Sequence, residues 1–510
     1  YIKRCVFSGL KREIHKNFDK LLEESFKIWQ KRWEIADIKI RGDRDIERGL
    51  RFNIYHLINS APRKEIDASI PARGVSGEGY RGHIFWDTEI FIFPFFVYLF
   101  PDIAKNLLLY RVKRLEKARE IAKANGYEGA MFPWESAHTG DETTPSWSKD
   151  FDGRIIRIIT HKQEHHITGD IGYALIFYFR MTQDYDFMLK YGLEMLFEIA
   201  RFWNSRLEYN RRRKFYEIRK VMGPDEFHPD VNNNTYTNFL AKYILEEAVK
   251  TYKFFSFKFG KRFKKVIKRI SLKKNEVMEW EKKAESIFIP CKRGIIESFE
   301  GYLKLKKYPL PHLNKHFLPE FPSVPLSKIH RTQFIKQPDV VMLFALFPDR
   351  FSFEEKKRNF LFYEKRTLHK SSLSPSVHSL VAAQLGMETF AYRYLKLSTN
   401  VDLQDVYGNT SEGIHMANAG SCWQTFVRGI GGVREEEGTL LIQPHLPKHW
   451  KEISFKSFFK GILIEFFINH EKVKLKVLSS LSEPFYVIVY GKKIKIGVKR
   501  EYVFSRKEGK

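Results

Sequence analysis

The stretch Gly192-Leu193-Glu194-Met195-Leu196-Phe197-Glu198-Ile199-Ala200-Arg201-Phe202-Trp203-Asn204-Ser205-Arg206 sets the reading of the fold. Leu193, Leu196, Phe197, Ala200 and Trp203 recur at the spacing of one helical face, and such a stripe packs a core rather than a ligand. The same period returns in Tyr236 to Tyr252 and in Val377 to Leu397, so most of the first four hundred residues read as helices. Between them lie loops rich in Gly, Pro, Asn and Ser, the places where functional groups are usually carried. After about Gly432 the period changes. Ile462-Leu463-Ile464-Glu465-Phe466-Phe467-Ile468 and Lys472-Val473-Lys474-Leu475-Lys476-Val477 are β-rich, the second strictly alternating, and Tyr486 to Tyr490 and Lys493 to Val498 continue the style. Residues 432–510 are therefore expected to form a small antiparallel β domain with no catalytic residues of its own.

At 510 residues the chain is long enough for one large domain and a smaller one. Its 43% hydrophobic and 15% aromatic content excludes a disordered chain. No apolar run reaches the ~18 residues of a membrane span, and the stretch Ile90 to Phe100 is short and holds Pro94. The opening Tyr1-Ile2-Lys3-Arg4-Cys5 leads into a charged amphipathic segment, not a secretory signal. Cys5, Cys291 and Cys422 have no metal-ligand spacing and make no disulfide framework, so a reducing cytoplasm is the expected compartment. The net charge of +27 raises the question of a nucleic-acid partner. The basic residues concentrate between Lys258 and Lys283, interleaved with Phe254, Phe255, Phe257, Phe259 and Phe263. With Val266, Ile267 and Ile270 that spacing fits a helix with a solvated basic face better than a stacking platform, and no nucleic-acid partner is expected. A positive field would still draw in an anionic substrate.

The chemistry concentrates at Gly223-Pro224-Asp225-Glu226-Phe227-His228, followed by Asn232-Asn233-Asn234-Thr235-Tyr236-Thr237-Asn238. Glu226 is a candidate general acid, a carboxyl that burial or a neighbouring charge could keep protonated; a helix cap through Asp225 or Asn232 is the plainer reading. Upstream stand Gly77-Glu78-Gly79-Tyr80-Arg81-Gly82-His83-Ile84-Phe85-Trp86-Asp87-Thr88-Glu89 and Phe132-Pro133-Trp134-Glu135-Ser136. Downstream come Lys336-Gln337, Thr367-Leu368-His369-Lys370-Ser371-Ser372-Leu373-Ser374 and Glu412-Gly413-Ile414-His415-Met416-Ala417. In this order, from about Phe18 to about Phe455, the segments resemble glycoside hydrolase family 65, the inverting disaccharide phosphorylases that include maltose, trehalose, kojibiose and nigerose phosphorylases.

The resemblance implies a mainly α protein with an (α/α)6 barrel over residues 41–431, its active site in the barrel mouth, and the β domain over 432–510. Residues 1–40 resemble the helical linker that follows the family's amino-terminal β-sandwich. No sandwich is present and the first residue is Tyr, so a partial sequence is expected. The resemblance also implies phosphorolysis of an α-linked glucose disaccharide to β-glucose 1-phosphate and glucose. Glu226 would protonate the glycosidic oxygen while phosphate attacks the opposite face. Ser371, Ser372, His415 and backbone N–H groups near Gly413 would hold phosphate; without that context Ser371-Ser372 reads as an N-cap pair. Trp86-Asp87 and Trp134-Glu135, each an aromatic beside an acid on a turn, would hold the sugar, with Lys336-Gln337 adding donors. Glu164, His165 and His166 lack zinc-ligand spacing, and neither a metal nor an organic cofactor is expected. Partners are the disaccharide and inorganic phosphate, with a homodimer possible. An inverting α-glucosidase using Glu412 and an inactive carbohydrate-binding fragment are the alternatives. Ser298, Pro338 and Ser421 stand where the family more often has Gln, Ala and Gly, and Ser421 is expected to strain a backbone position that needs Gly. Linkage and acceptor stay open, resting on loops such as Trp147 to Ile159 and the region after His228.

Overall fold

A computed structural model describes residues 7–8, 10–11, 13–63, 66–149, 155–480, 484–497 and 500–506. Cys5, the centre of the Trp147 to Ile159 loop and Val498 lie outside the described residues.

Burial sorts the helices into two rings. The π-helical turn Thr88–Ile92 running into Phe93–Leu99, and the helices Val340–Leu346 and Met416–Gln424, have every residue buried. His166–Thr182, the first part of Thr235–Arg269, and Leu373–Gln384 are nearly as enclosed. A helix without a polar face must be surrounded by other helices. These six contact one another in chain order, and Met416–Gln424 closes on Thr88–Ile92. Around them sit Arg44–Ser60, Pro101–Lys113, Leu193–Arg206, Lys274–Glu285, Phe353–Glu364 and Glu388–Thr399. Several of these outer helices bury one stripe and expose the other, Arg44–Ser60 among them. This is an (α/α)6 barrel. Inner and outer helices alternate along the chain, so the inner six run the same way and their N-termini gather at one mouth.

The basic segment is the far end of Thr235–Arg269, kinked at Phe259–Gly260. Phe255, Phe263 and Val266 are buried while Lys261, Lys264 and Lys265 are exposed. That is a basic face over a partly packed aromatic set, since Phe254 and Phe257 are exposed.

Beyond the barrel, Glu452–Phe459 alternates buried and half-buried residues along its whole length. It pairs antiparallel with Ile462–Asn469, then Lys472–Val477, then Glu501–Ser505, and on its other edge takes in Lys39–Arg41 from before the barrel. A second sheet, in the order Lys492–Ile496, Phe485–Val489, Thr439–Ile442, Val433–Glu436, is mixed: the two central strands run parallel. The antiparallel expectation holds for the larger sheet and is corrected in the smaller one at that pair. Phe455 joins barrel to sheet, touching Phe426 at 5.6 Å and Phe466 at 5.1 Å between ring centroids. No described helix is long and apolar enough to cross a membrane.

Candidate active site

Most of the motifs singled out in the sequence sit just before an inner helix, Phe132 to Ser136 being an exception. Trp86-Asp87 precedes Thr88, Glu164-His165 precedes His166, Asn232 to Asn234 precede Thr235, Lys336 to Asp339 precede Val340, Ser371-Ser372 precede Leu373, and Gly413 to His415 precede Met416. Six helix N-termini thus gather on one side of the barrel, each with the positive end of its dipole. A cavity of about 240 Å³ lies there, lined among others by Trp86, Asp87, Trp134, Glu226, Lys336, Gln337, Ser371, Ser372 and His415. Glu135 and Gly413 are outside its lining.

The turn bearing Glu226 is fixed from below. Asp225 is buried and accepts from His228 Nδ1 at 2.5 Å and from the Lys336 backbone N–H at 2.7 Å. His228 Nε2 donates to the Thr332 carbonyl at 2.9 Å, so both ring nitrogens donate. Burial opposes that charge on His228, and Asp225 outweighs it, raising the pKa. Gln337 Nε2 donates to the Pro224 carbonyl at 2.6 Å. Asn234 caps its helix by accepting from the Thr237 N–H, and its amide donates to Asp339 at 2.8 Å. A Cβ on Gly223 would come within 2.2 Å of the Asn234 amide, which is why glycine stands there. The helix-cap role thus falls to Asn234 and to neither Asp225 nor Asn232.

Of burial and a neighbouring charge, the structure gives Glu226 the second. Its side chain is 33% exposed and its Oε1 accepts from Lys336 Nζ at 2.6 Å. Burial disfavours the Lys336 charge, but Glu226 overrides it and raises the lysine pKa. Asp87 faces the same cavity, and burial pushes its carboxyl up to about 7. Trp134 meets Phe85 edge-on at 6.0 Å, and Phe85 meets Tyr80 at 5.2 Å, so three aromatics form one wall. Glu135 points away from this wall: its Oε1 lies 2.6 Å from His83 Nδ1, and burial raises its pKa. The Trp-acid pairing therefore delivers its acid to the pocket at Asp87 and not at Glu135.

At the other end, Ser372 occupies the N-cap position of Leu373–Gln384 but makes no side-chain cap bond. Ser371 Oγ only accepts a long 3.4 Å contact from the Leu373 N–H. Both hydroxyls line the cavity, so the N-cap reading does not describe them. His415 Nδ1 donates to Asp402 at 2.6 Å, and its Nε2 accepts from Arg73 Nη1 at 2.8 Å. The imidazole is thereby committed on both sides. Arg73, which the sequence reading missed, brings the cation to this end. It is 4% exposed, lines the cavity, and also donates to the carbonyl of Gly413 at 3.0 Å and to Glu412 Oε2 at 3.2 Å. Gly413 thus contributes its carbonyl to holding Arg73. Lys370, Tyr407 and Asn409 complete the lining. Lys370 was visible in its motif; Arg73 carried no signal, because its partners lie some 340 positions away.

Ser421 lies within Met416–Gln424, buried, with its Oγ 2.5 Å from Ser376 Oγ. Its φ is not positive, so the expected strain is absent. Ser298 Oγ donates to Asp339 at 2.8 Å, and burial pushes Asp339 up to about 7. Glu364, His369 and His378 bring metal-ligand atoms within 4.8 Å of one another. Protein groups already occupy most of that cluster: Arg393 and Tyr394 sit on Glu364 Oε1 at 3.0 and 2.5 Å, and Ser374 and Tyr394 hold the His369 ring.

The chain whose barrel mouth joins two carboxyls, two tryptophans and a hydroxyl pair with an arginine matches a known family. Residues 51–424 fit the glycosyl hydrolase family 65 central catalytic domain, and residues 433–496 fit the family's C-terminal domain. The chain belongs to glycosyl hydrolase family 65. Among its family 65 relatives are a kojibiose phosphorylase of Caldanaerobacter subterraneus subsp. tengcongensis, 44% identical over 97% of this chain and 64% of the relative. An α,α-trehalose phosphorylase of Thermoanaerobacter brockii is 35% identical over 94% of this chain and 60% of the relative. A solved structure from the human microbiome, provisionally named a kojibiose phosphorylase, superposes with a TM-score of 0.87 at 29% identity, covering 99% of this chain and 72% of that one. The chain spans a little under two thirds of the length of the curated relatives it matches.

Proposed function

We propose that this chain carries out reversible, inverting phosphorolysis of an α-linked glucose disaccharide, giving β-D-glucose 1-phosphate and glucose. One observation supports the reading: a single cavity is lined both by the Glu226 carboxyl and by the Ser371 and Ser372 hydroxyls with Arg73, and the carboxylates among its lining residues are Glu226 and Asp87. Inversion needs an acid on one face of the sugar and a nucleophile on the other. A hydrolase would need a base there to activate water. Glu412, the candidate, is 58% exposed, tied to Arg73 and outside the cavity lining.

In the proposed mechanism the glucosyl ring lies against Trp86 and Trp134, with Asp87, Lys336 and Gln337 addressing its hydroxyls. Phosphate sits among Ser371, Ser372, Arg73 and His415, with N–H groups at the starts of two inner helices offering further donors. An oxygen of phosphate attacks the anomeric carbon as the glycosidic bond breaks, and Glu226 gives its proton to the departing glucose oxygen. The proton left on the sugar phosphate returns to Glu226 before the next turnover, which balances the cycle. Lys336, 2.6 Å from Glu226, stabilises the carboxylate left between these two transfers. The kojibiose phosphorylases among the relatives make kojibiose the first disaccharide to try. The test is incubation with kojibiose, nigerose, trehalose and maltose, with and without phosphate. Phosphate-dependent glucose 1-phosphate from one of them is expected; glucose released equally without phosphate would replace this reading with the hydrolase.

A further inference from the structure

His166 is fully buried at the first position of the inner helix His166–Thr182, directly behind the sugar end of the cavity. Its two ring nitrogens face carboxylates: Nδ1 is 2.7 Å from Asp170 Oδ2, one helical turn on, and Nε2 is 3.3 Å from Glu164 Oε2. A cation at a helix N-terminus opposes the dipole, so both carboxylates are needed to hold it. Burial alone would lower the His166 pKa, and the two acids instead push it up to about 9. Burial opposes the charge on Glu164, and its contact with His166 favours it.

Three aromatic rings close around this imidazole, each meeting it edge-to-face: Trp86 at 5.0 Å, Trp134 at 5.4 Å and Tyr236 at 5.3 Å between centroids. Two of the three, Trp86 and Trp134, line the cavity. They come from loops nearly fifty residues apart, and His166 touches both. Tyr236 secures the arrangement from the far side, its hydroxyl donating to Asp170 Oδ1 at 2.8 Å. The loop before Trp134 is tied to the same helix, the Phe132 N–H donating to Thr168 Oγ1 at 3.0 Å.

We propose that His166 is a positioning residue of the sugar pocket, a clamped imidazole that sets Trp86 and Trp134 at the separation and tilt that receive a pyranose ring. It touches no substrate; it acts through the two indoles. The inference rests on the reading that this cavity takes the glucosyl unit.

The test compares wild type with His166→Asn, whose amide can still donate to Asp170, and Tyr236→Phe, which keeps the ring and loses only the bond to Asp170. With phosphorolysis as the assay, the disaccharide KM is expected to rise about tenfold in His166→Asn and about threefold in Tyr236→Phe, with the phosphate KM within about twofold of wild type in both. A folded His166→Asn protein with unchanged disaccharide KM, or with both KM values raised alike, would overturn the positioning role. Should His166→Asn fail to fold, Tyr236→Phe decides by the same split. If wild type gives no phosphate-dependent turnover, the functional reading fails separately. Glucose titrations followed by tryptophan fluorescence then test the pocket alone: weaker binding by the variants supports the role, and equal binding, or none by wild type, overturns it.

Discussion

Two sets of residues around the cavity are held to different degrees. At the sugar end the supporting polar groups are already paired within the protein: Asp225 with His228 and the Lys336 backbone, Gln337 with the Pro224 carbonyl, Glu226 with Lys336. Around the expected phosphate seat Arg73 and His415 are also paired within the protein, and the Ser371 and Ser372 hydroxyls are the groups left with little commitment of their own. A neutral ring is recognised by shape, which demands rigidity; an anion is recognised by donors, which must be left free. The difference teaches where each kind of substitution should act.

The largest effect is expected from Glu226→Gln. It keeps shape and removes the proton, so kcat should fall about a thousandfold with the unfolding midpoint unchanged, as steady-state kinetics and thermal unfolding would read. Activity within tenfold of wild type would move the acid elsewhere. Arg73→Lys keeps a charge but loses the fork that reaches His415 and the Gly413 carbonyl; the phosphate KM should rise about tenfold with the disaccharide KM little changed. A rise in the disaccharide KM instead would erase the distinction between the ends.

The sugar end should also show itself in stability. Asp339, behind the Glu226 turn, and Asp87 in the pocket both have carboxyls raised to about 7 by burial. Between the unfolded value near 3.8 and 7 the folded state binds more protons, so stability falls as pH rises through this window and levels off above it. One such group costs about 2 kcal/mol between roughly pH 5.5 and pH 7. Asp339→Asn should flatten that slope in urea unfolding; an unchanged slope would mean that Asp339 titrates normally. The smallest effect belongs to Ser372→Ala, a rise in phosphate KM of about threefold to fivefold, one neutral hydrogen bond among several.

How far the sequence carried this picture depended on whether the signal was local. The face at Gly192 to Arg206 was legible because Leu193, Leu196, Phe197, Ala200 and Trp203 are all buried where the period puts them. Val340–Leu346 has no period to read, since every residue is buried; the barrel came from resemblance to a family, not from periodicity. The parallel pairing of Phe485–Val489 with Thr439–Ile442 was out of reach, because alternation marks a strand without its direction. Trp86-Asp87 and Trp134-Glu135 looked equivalent as dipeptides. Only the partner across space, His83, takes the second acid away. Arg73 was hidden for the same reason: its role is set by Gly413 and His415, far along the chain.

The most direct test of the account follows the anomeric signal of fresh product by proton NMR as this chain turns over kojibiose in phosphate buffer. The β anomer of glucose 1-phosphate, appearing only with phosphate and vanishing in Glu226→Gln, is the predicted result. The α anomer, or glucose released at the same rate without phosphate, would contradict a pocket with an acid at one end and an anion at the other.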